Sequence, residues 1–207
     1  MRVAKPIIGL AGGIGSGKST VASILGTLGA GVVASDRLNH EELNSPEMLA
    51  RLREWWGEAA LGRDGHADRD ALRRVVTTDP EARRRLEGLV HPRIARRTEE
   101  LMARHQADPG VRAIVWDAPL LFEVGLADAC QWVIFVETDE SIRRQRVLEE
   151  RGWAAEDFER FEKAQVPLDV KRAEADYVIV NNSDMSDLRR QVEDVFSRIL
   201  AHHEEDS

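Results

Sequence analysis

Gly12-Gly13-Ile14-Gly15-Ser16-Gly17-Lys18-Ser19-Thr20 matches the phosphate-loop pattern G-x-x-x-x-G-K-[ST] at every fixed position. Phosphate oxygens need several donors converging on one small volume. Backbone N–H groups supply them where no Cβ blocks the approach, which accounts for glycine at four places in the loop. Lys18 sets a flexible positive charge against the terminal phosphates, and the Ser19 hydroxyl is a Mg²⁺ ligand in such loops. The helix that follows offers its N-terminal N–H groups to the anion. Gly13, Ile14, Gly15, Ser16, Gly17, Lys18, Ser19 and Thr20 are therefore the candidate triphosphate-binding residues, with Lys18 also catalytic. Both flanks agree. Ile7-Ile8-Gly9-Leu10-Ala11 reads as a buried parallel strand, and Val21, Leu25 and Leu28 recur on one helical face before Gly29 and Gly31 stop it.

The chain has 207 residues, 43% hydrophobic and 32% charged, which suits one globular domain with insertions. A net charge of -8 argues against a general nucleic-acid binder. Cys130 is the sole cysteine and forms no intramolecular disulfide or Cys/His cluster, so it reads as a small packed residue. No apolar run reaches the ~20 residues of a membrane span, and the first residues lack a signal-peptide apolar region. The expectation is a cytoplasmic protein with small-molecule partners, no nucleic acid, no membrane and no obligate protein partner.

The second strand is expected at 31–36, ending in Asp36. In a βαβ unit the C-terminal strand ends face the ligand, so Asp36 is a candidate base for a substrate hydroxyl; the competing reading is a cap on the next helix. Residues 37–110 read as a helical insertion that holds substrate, with starts at Ser45-Pro46, Asp68 and Asp79-Pro80. His91-Pro92 falls inside a helical pattern, where proline predicts a kink or break; His91 is then able to face a ligand, the competing reading being a plain structural histidine. Ala113–Asp117 is the third strand, and Asp117 stands where P-loop proteins often set a carboxylate near Mg²⁺, directly or through water; the competing reading is a turn-forming residue. The apolar loop Pro119, Leu120, Leu121, Phe122, Glu123 follows at the same edge. Strands at 132–136 and 177–180 enclose a hairpin of two helices, about 140–150 and 155–165, that carries Arg143, Arg144, Arg146 and Arg151. Such a hairpin is able to close as a lid over nucleotide, although most helix arginines only pair with neighbouring glutamates. A last helix runs from about 184 to 200, before a polar tail expected to fray. Five apolar strands alternating with helices predict an α/β fold: a parallel sheet with helices on both faces.

A guanine-reading Asn-Lys-x-Asp segment is absent, which excludes the common GTPases. The arginine hairpin and the helical insertion favour a small kinase. The residues carry a family resemblance as well. Leu10 to Val21, Asp36-Arg37, Asp64-Gly65 with Arg69, His91-Pro92, Pro119 to Glu123, Arg151-Gly152-Trp153, Gln165 and Lys171 to Ile179 with Asn181 together resemble the dephospho-CoA kinases. The match spans about residues 7–182. The P-loop piece is shared by many kinases; the later pieces, in this order, are far more specific.

The resemblance implies transfer of the γ-phosphoryl of ATP to the ribose 3′-hydroxyl of dephospho-CoA, with Mg²⁺ as cofactor. It implies a P-loop NTPase fold of the nucleoside-monophosphate-kinase kind: core at about 1–36, 111–139 and 175–202, CoA-binding insertion at 37–110, lid at 140–174. It makes Asp36 the base, sets His91 and Pro119 to Glu123 at the acceptor, and brings Arg146 and Arg151 to the nucleotide. Two positions depart from the family's pattern. Ala34-Ser35-Asp36 replaces the usual Asp-Ala-Asp, so one carboxylate is missing, and Phe161 replaces a residue that is often basic. A nucleoside or nucleotide kinase of the same fold, or a non-catalytic ATP-binding switch, is the alternative.

Overall fold

The computed structural model describes residues 4–205, apart from the Arg151 side chain. The backbone forms two compact units. One is the chain up to Ala34 together with everything from Met102; the other is Ser35–Leu101. The strands are β1 (Ile7–Ala11), β2 (Ala30–Ala34), β3 (Ala113–Asp117), β4 (Trp132–Glu137) and β5 (Tyr177–Val180). The helices are α1 (Lys18–Thr27), α2 (Ser35–Leu43), α3 (Pro46–Trp56), α4 (Arg69–Thr78), α5 (Pro80–Ala107), α6 (Glu140–Arg151), α7 (Ala155–Lys163), α8 (Leu168–Ala173) and α9 (Met185–Glu205).

In the larger unit the strands form one parallel sheet in the order β2-β3-β1-β4-β5. The P-loop strand β1 is thus central, as its uninterrupted apolar run requires. One sheet face carries Ile8, Leu10, Val115, Ile134, Val136 and Ile179. It packs against Val21, Ile24 and Leu25 of α1 and against Leu188, Val192, Phe196 and Ile199 of α9. The opposite face is approached so closely that two of its residues are glycines. A Cβ on Gly31 would fall inside the His105 ring of α5, and one on Gly9 would stand 2.8 Å from the Leu121 side chain and 2.9 Å from Cys130 Sγ. Burial pushes the Cys130 thiol up to about 11, which keeps it protonated and inert.

Two glutamines act as short substitutes for a strand. Gln191 accepts from the Val180 N–H at 2.9 Å and donates to the Val180 carbonyl at 2.9 Å. Gln106 does the same for Lys5, also at 2.9 Å each way. The expected frayed tail is helical instead. α9 runs to Glu205, where the Tyr177 hydroxyl meets His202 Nδ1 at 3.0 Å and His203 Nε2 donates to the Ala4 carbonyl at 2.8 Å. Asp206 and Ser207 lie outside the described residues. The short helix α8 has no counterpart in the sequence reading, because six residues hold too few turns to show a period.

The smaller unit is helical. Ser45 accepts from the Met48 N–H as N-cap of α3, and Asp68 accepts from Asp70 and Ala71 as N-cap of α4. Leu43, Met48, Leu52, Leu61, Leu72 and Val90 form its core, with Trp56 and Leu86 packed alongside. Arg93 pairs with Glu47 at 2.5 Å and Arg97 with Glu42 at 3.7 Å, so these two arginines fasten α5 to α2 and α3. The predicted break at His91-Pro92 does not occur: α5 is one helix through Pro92. The carbonyl that loses its donor belongs to Gly88, where backbone freedom is greatest, and Val90 and Thr98 are buried on either side. Among the described residues no helix is long and apolar enough to cross a membrane.

Candidate active site

The loop between β1 and α1 is tied down by its carbonyls. Lys18 Nζ donates to the Gly12 carbonyl at 2.9 Å and to the Gly13 carbonyl at 3.1 Å. Arg143 Nη1 donates to Ile14 O at 3.3 Å, and Arg146 Nη1 to Gly15 O at 3.5 Å. Ser16 O accepts twice, from Thr138 Oγ1 at 2.9 Å and from Asn181 Nδ2 at 2.8 Å. Gly17 O begins the helix by accepting from Thr20 and Val21. Each carbonyl from Gly12 to Gly17 is therefore engaged by a donor. With the negative ends of its dipoles held this way, the loop is preorganised to present N–H groups to an anion. Gly17 is the N-cap in the left-handed region, at φ 90°, which a residue with a Cβ adopts only under strain.

Arg143 is the deepest of these braces, at 3% exposure. Its Nε donates to the Thr138 carbonyl at 3.1 Å, and its Nη1 to Glu162 Oε1 of α7 at 2.5 Å. A Cβ on Gly13 would stand 2.6 Å from Arg143 Nη1. Gly13→Ala is therefore expected to lower stability by about 1–3 kcal/mol, because the guanidinium has no free direction in which to move. Thermal unfolding of the variant checks this; a midpoint equal to that of the parent chain would contradict the contact.

Ser19 Oγ, one residue into α1, donates to Asp117 Oδ2 at 3.0 Å. Asp117 ends β3 and is 8% exposed, and its register partner on β2 is Ala34. The position that lacks the family's first carboxylate thus lies beside Asp117. No group of three or more His, Cys, Asp or Glu gathers among the described residues to hold a metal. One hydroxyl and one carboxylate suit a small divalent cation that takes its other ligands from phosphate and water.

The remaining candidates divide. Asp36 is not at the end of a strand. β2 stops at Ala34, and Asp36 lies exposed in the first turn of α2, its side chain making no hydrogen bond or ion pair among the described residues. His91 is exposed on α5, also in the smaller unit. In the loop after β3, Leu120 is 46% exposed, while Pro119 and Phe122 are half-buried. Leu121, at 2% exposure, packs into the core against Gly9, so its side chain lines no open surface. Glu123 is occupied too: Oε1 meets Lys171 Nζ at 2.6 Å and accepts from the Val166 N–H at 3.1 Å. Burial raises the Glu123 carboxyl, but the Lys171 ammonium and two backbone N–H groups outweigh it and hold the group below the usual carboxylate range. The Arg151 side chain lies outside the described residues. Phe161 faces Trp153, ring centroids 5.3 Å apart, with the Arg160 guanidinium 4.9 Å from its ring.

Thr138, Asn181 and Lys171 were not among the sequence-derived site residues, and Arg143 was only one of four hairpin arginines left undivided. Thr138 and Asn181 directly follow the C-terminal ends of β4 and β5, which is the signal that topology offers for them.

A family model described as dephospho-CoA kinase matches residues 6–187. The chain belongs to the dephospho-CoA kinase family. Relatives of that name include one from Corynebacterium glutamicum, 36% identical over 93% of this chain and 98% of its own, and one from Geobacter sulfurreducens, 37% identical over the same shares. A crystal structure from Thermus thermophilus is 34% identical, with TM-score 0.77, over 95% of this chain and 98% of its own. Two more distant structures share the fold: a dephospho-CoA kinase from Campylobacter jejuni at 24% identity and TM-score 0.68, and a shikimate kinase from Acinetobacter baumannii at 18% and 0.54. The chain is a kinase built on a five-stranded parallel P-loop sheet. Its similarity to the family covers the P-loop, both halves of the arginine hairpin and β5.

Proposed function

We propose that this chain transfers the γ-phosphoryl of ATP to the ribose 3′-hydroxyl of dephospho-CoA, giving coenzyme A and ADP in the cytoplasm. The observation that carries the reading is the P-loop itself: all its carbonyls engaged, Lys18 folded over it, and Ser19 joined to Asp117. Family membership supplies the acceptor.

Little covalent chemistry falls to the protein. It has to align the attacking oxygen with the γ-phosphorus and neutralise charge as the phosphoryl moves. The loop N–H groups and the Lys18 ammonium hold the β- and γ-phosphates. Ser19 and Asp117 would hold Mg²⁺, which when bound draws charge from the phosphate oxygens. Asp36, exposed and without a partner of its own among the described residues, accepts the proton of the 3′-hydroxyl. Arg146 meets the nucleotide in this reading, which its reach to the Gly15 carbonyl of the loop supports. Pro119, Leu120 and Phe122 offer apolar surface to the acceptor, and His91 offers it a donor.

Incubation with Mg-ATP and dephospho-CoA, with AMP and adenosine as parallel acceptors, tests the assignment. Coenzyme A and ADP in equal amounts, from dephospho-CoA alone, is the expected result. Transfer to AMP or adenosine instead would keep the fold and replace the substrate. ATP binding without any transfer would mark a nucleotide-dependent switch.

A further inference from the structure

Lys171 is 2% exposed, one of the largest fully buried side chains in the molecule, and its ammonium meets Glu123, whose side chain is 13% exposed. Removing two charges from water is expensive, and a well-packed apolar pair often serves stability as well or better. The pair is also incompletely satisfied, since Glu123 Oε2 is buried without a hydrogen-bond partner. Stability alone is therefore a poor account of it.

What the pair joins is more informative. Glu123 closes the loop after β3, whose Leu121 is pinned on Gly9 of the P-loop strand. Through Oε1 it also holds the Val166 N–H, and Lys171 Nζ reaches Gln165 Oε1 at 3.4 Å. Gln165 and Val166 are the residues by which the chain leaves the α6–α7 hairpin. Lys171 belongs to α8, and its helix neighbours Leu168, Asp169 and Arg172 wall a cavity of about 270 Å³ whose other side is Gly13, Arg143 and the end of β4. Arg172 is fixed in turn by Glu137 at 2.9 Å. One carboxylate thus sets the acceptor-side loop, the exit of the hairpin and a wall beside the P-loop against each other.

We propose that Glu123 and Lys171 are a positioning pair for phosphoryl transfer: they register the hairpin exit to the 118–123 loop, and Glu123 is not a ligand of the acceptor. The proposal rests on the phosphotransfer reading above. It replaces the expectation, implied by the family resemblance, that Glu123 contacts substrate.

Three variants test it: Glu123→Gln, Lys171→Met and the double variant E123L/K171M. Lys171→Met leaves a charge buried alone and is the one prone to misfold, so the double variant is decisive. In the double variant the thermal midpoint should equal or exceed that of the parent chain, and the dissociation constants of ATP and dephospho-CoA should stay within about twofold. Its kcat should fall about 10- to 100-fold, the scale of an ångström-sized misplacement. Amide exchange over 164–168 should accelerate about tenfold or more, because the Val166 N–H has lost its acceptor. A parent-like kcat in the stable double variant would reduce the pair to a packing feature and overturn the proposal. A raised dephospho-CoA dissociation constant with kcat intact in Glu123→Gln would make Glu123 a substrate ligand and overturn it as well. Should the parent chain fail to phosphorylate dephospho-CoA, the phosphotransfer reading falls while the exchange measurement still decides whether the pair orders the hairpin exit.

Discussion

Lys18→Ala is expected to abolish useful turnover, lowering kcat/KM by roughly 10³-fold or more and weakening ATP binding by at least tenfold. The ammonium is the one mobile charge built into the loop, at the first residue of α1, and it spans the Gly12 and Gly13 carbonyls. In the transition state those contacts give way to the oxygens on which charge gathers, so the loss falls on rate as well as on affinity. The fold should survive. The loop keeps its braces from Thr138, Asn181, Arg143 and Arg146, and the Lys18 side chain is only partly buried. Calorimetric titration with ATP beside steady-state rates reads both quantities; unchanged ATP affinity would remove the phosphate role from Lys18.

Asp36→Ala is expected to behave differently: ATP affinity nearly intact, and kcat lower by roughly 10²-fold or more, the usual scale for a positioned base. The residue is exposed in the first turn of α2 and its side chain makes no hydrogen bond or ion pair among the described residues. Its removal should therefore cost little stability, at most the modest gain an acid makes from the helix dipole. Asp36→Asn keeps the shape and removes the basicity, and should fall as far as alanine does. Equal turnover in the two variants and the parent chain would return Asp36 to the simpler role of a helix-start residue. With Ala34 and Ser35 before it, no neighbouring carboxylate in that segment is available to take over.

These two residues also mark how far the sequence can be read. Lys18 was legible because motif, strand and helix all constrain the same nine residues. Asp36 was legible as a candidate and misplaced in structure. A strand of five residues and a following helix share the boundary Val33-Ala34-Ser35, and periodicity cannot locate such a boundary to one residue. The continuous α5 shows the limit of local rules. The cost of Pro92, about 3 kcal/mol by propensity, is overcome by packing at Val90 and Thr98 and by the Arg93 and Arg97 pairs, which sequence spacing does not reveal. The 118–123 loop is the clearest case. Its apolar letters suggest one surface, yet Leu120 faces out, Leu121 faces in, and Glu123 is spent on a lysine 48 positions later in the chain. No local pattern encodes a pairing across such a distance. Arg143 was visible as one arginine of four on a helix; only the structure separates the buried brace from its more exposed neighbours.

The amide of Gln191, set flat against the backbone of Val180, reaches beyond the internal architecture. β5 is a border of the sheet, and a border strand is an invitation to any other extended chain in a crowded cell. By occupying both the donor and the acceptor of Val180, the side chain leaves an incoming strand one fewer rung on which to register. β5 is in this way capped at its last residue by a group too short to extend the sheet, and a neighbouring chain finds no free backbone pair at Val180 on which to begin.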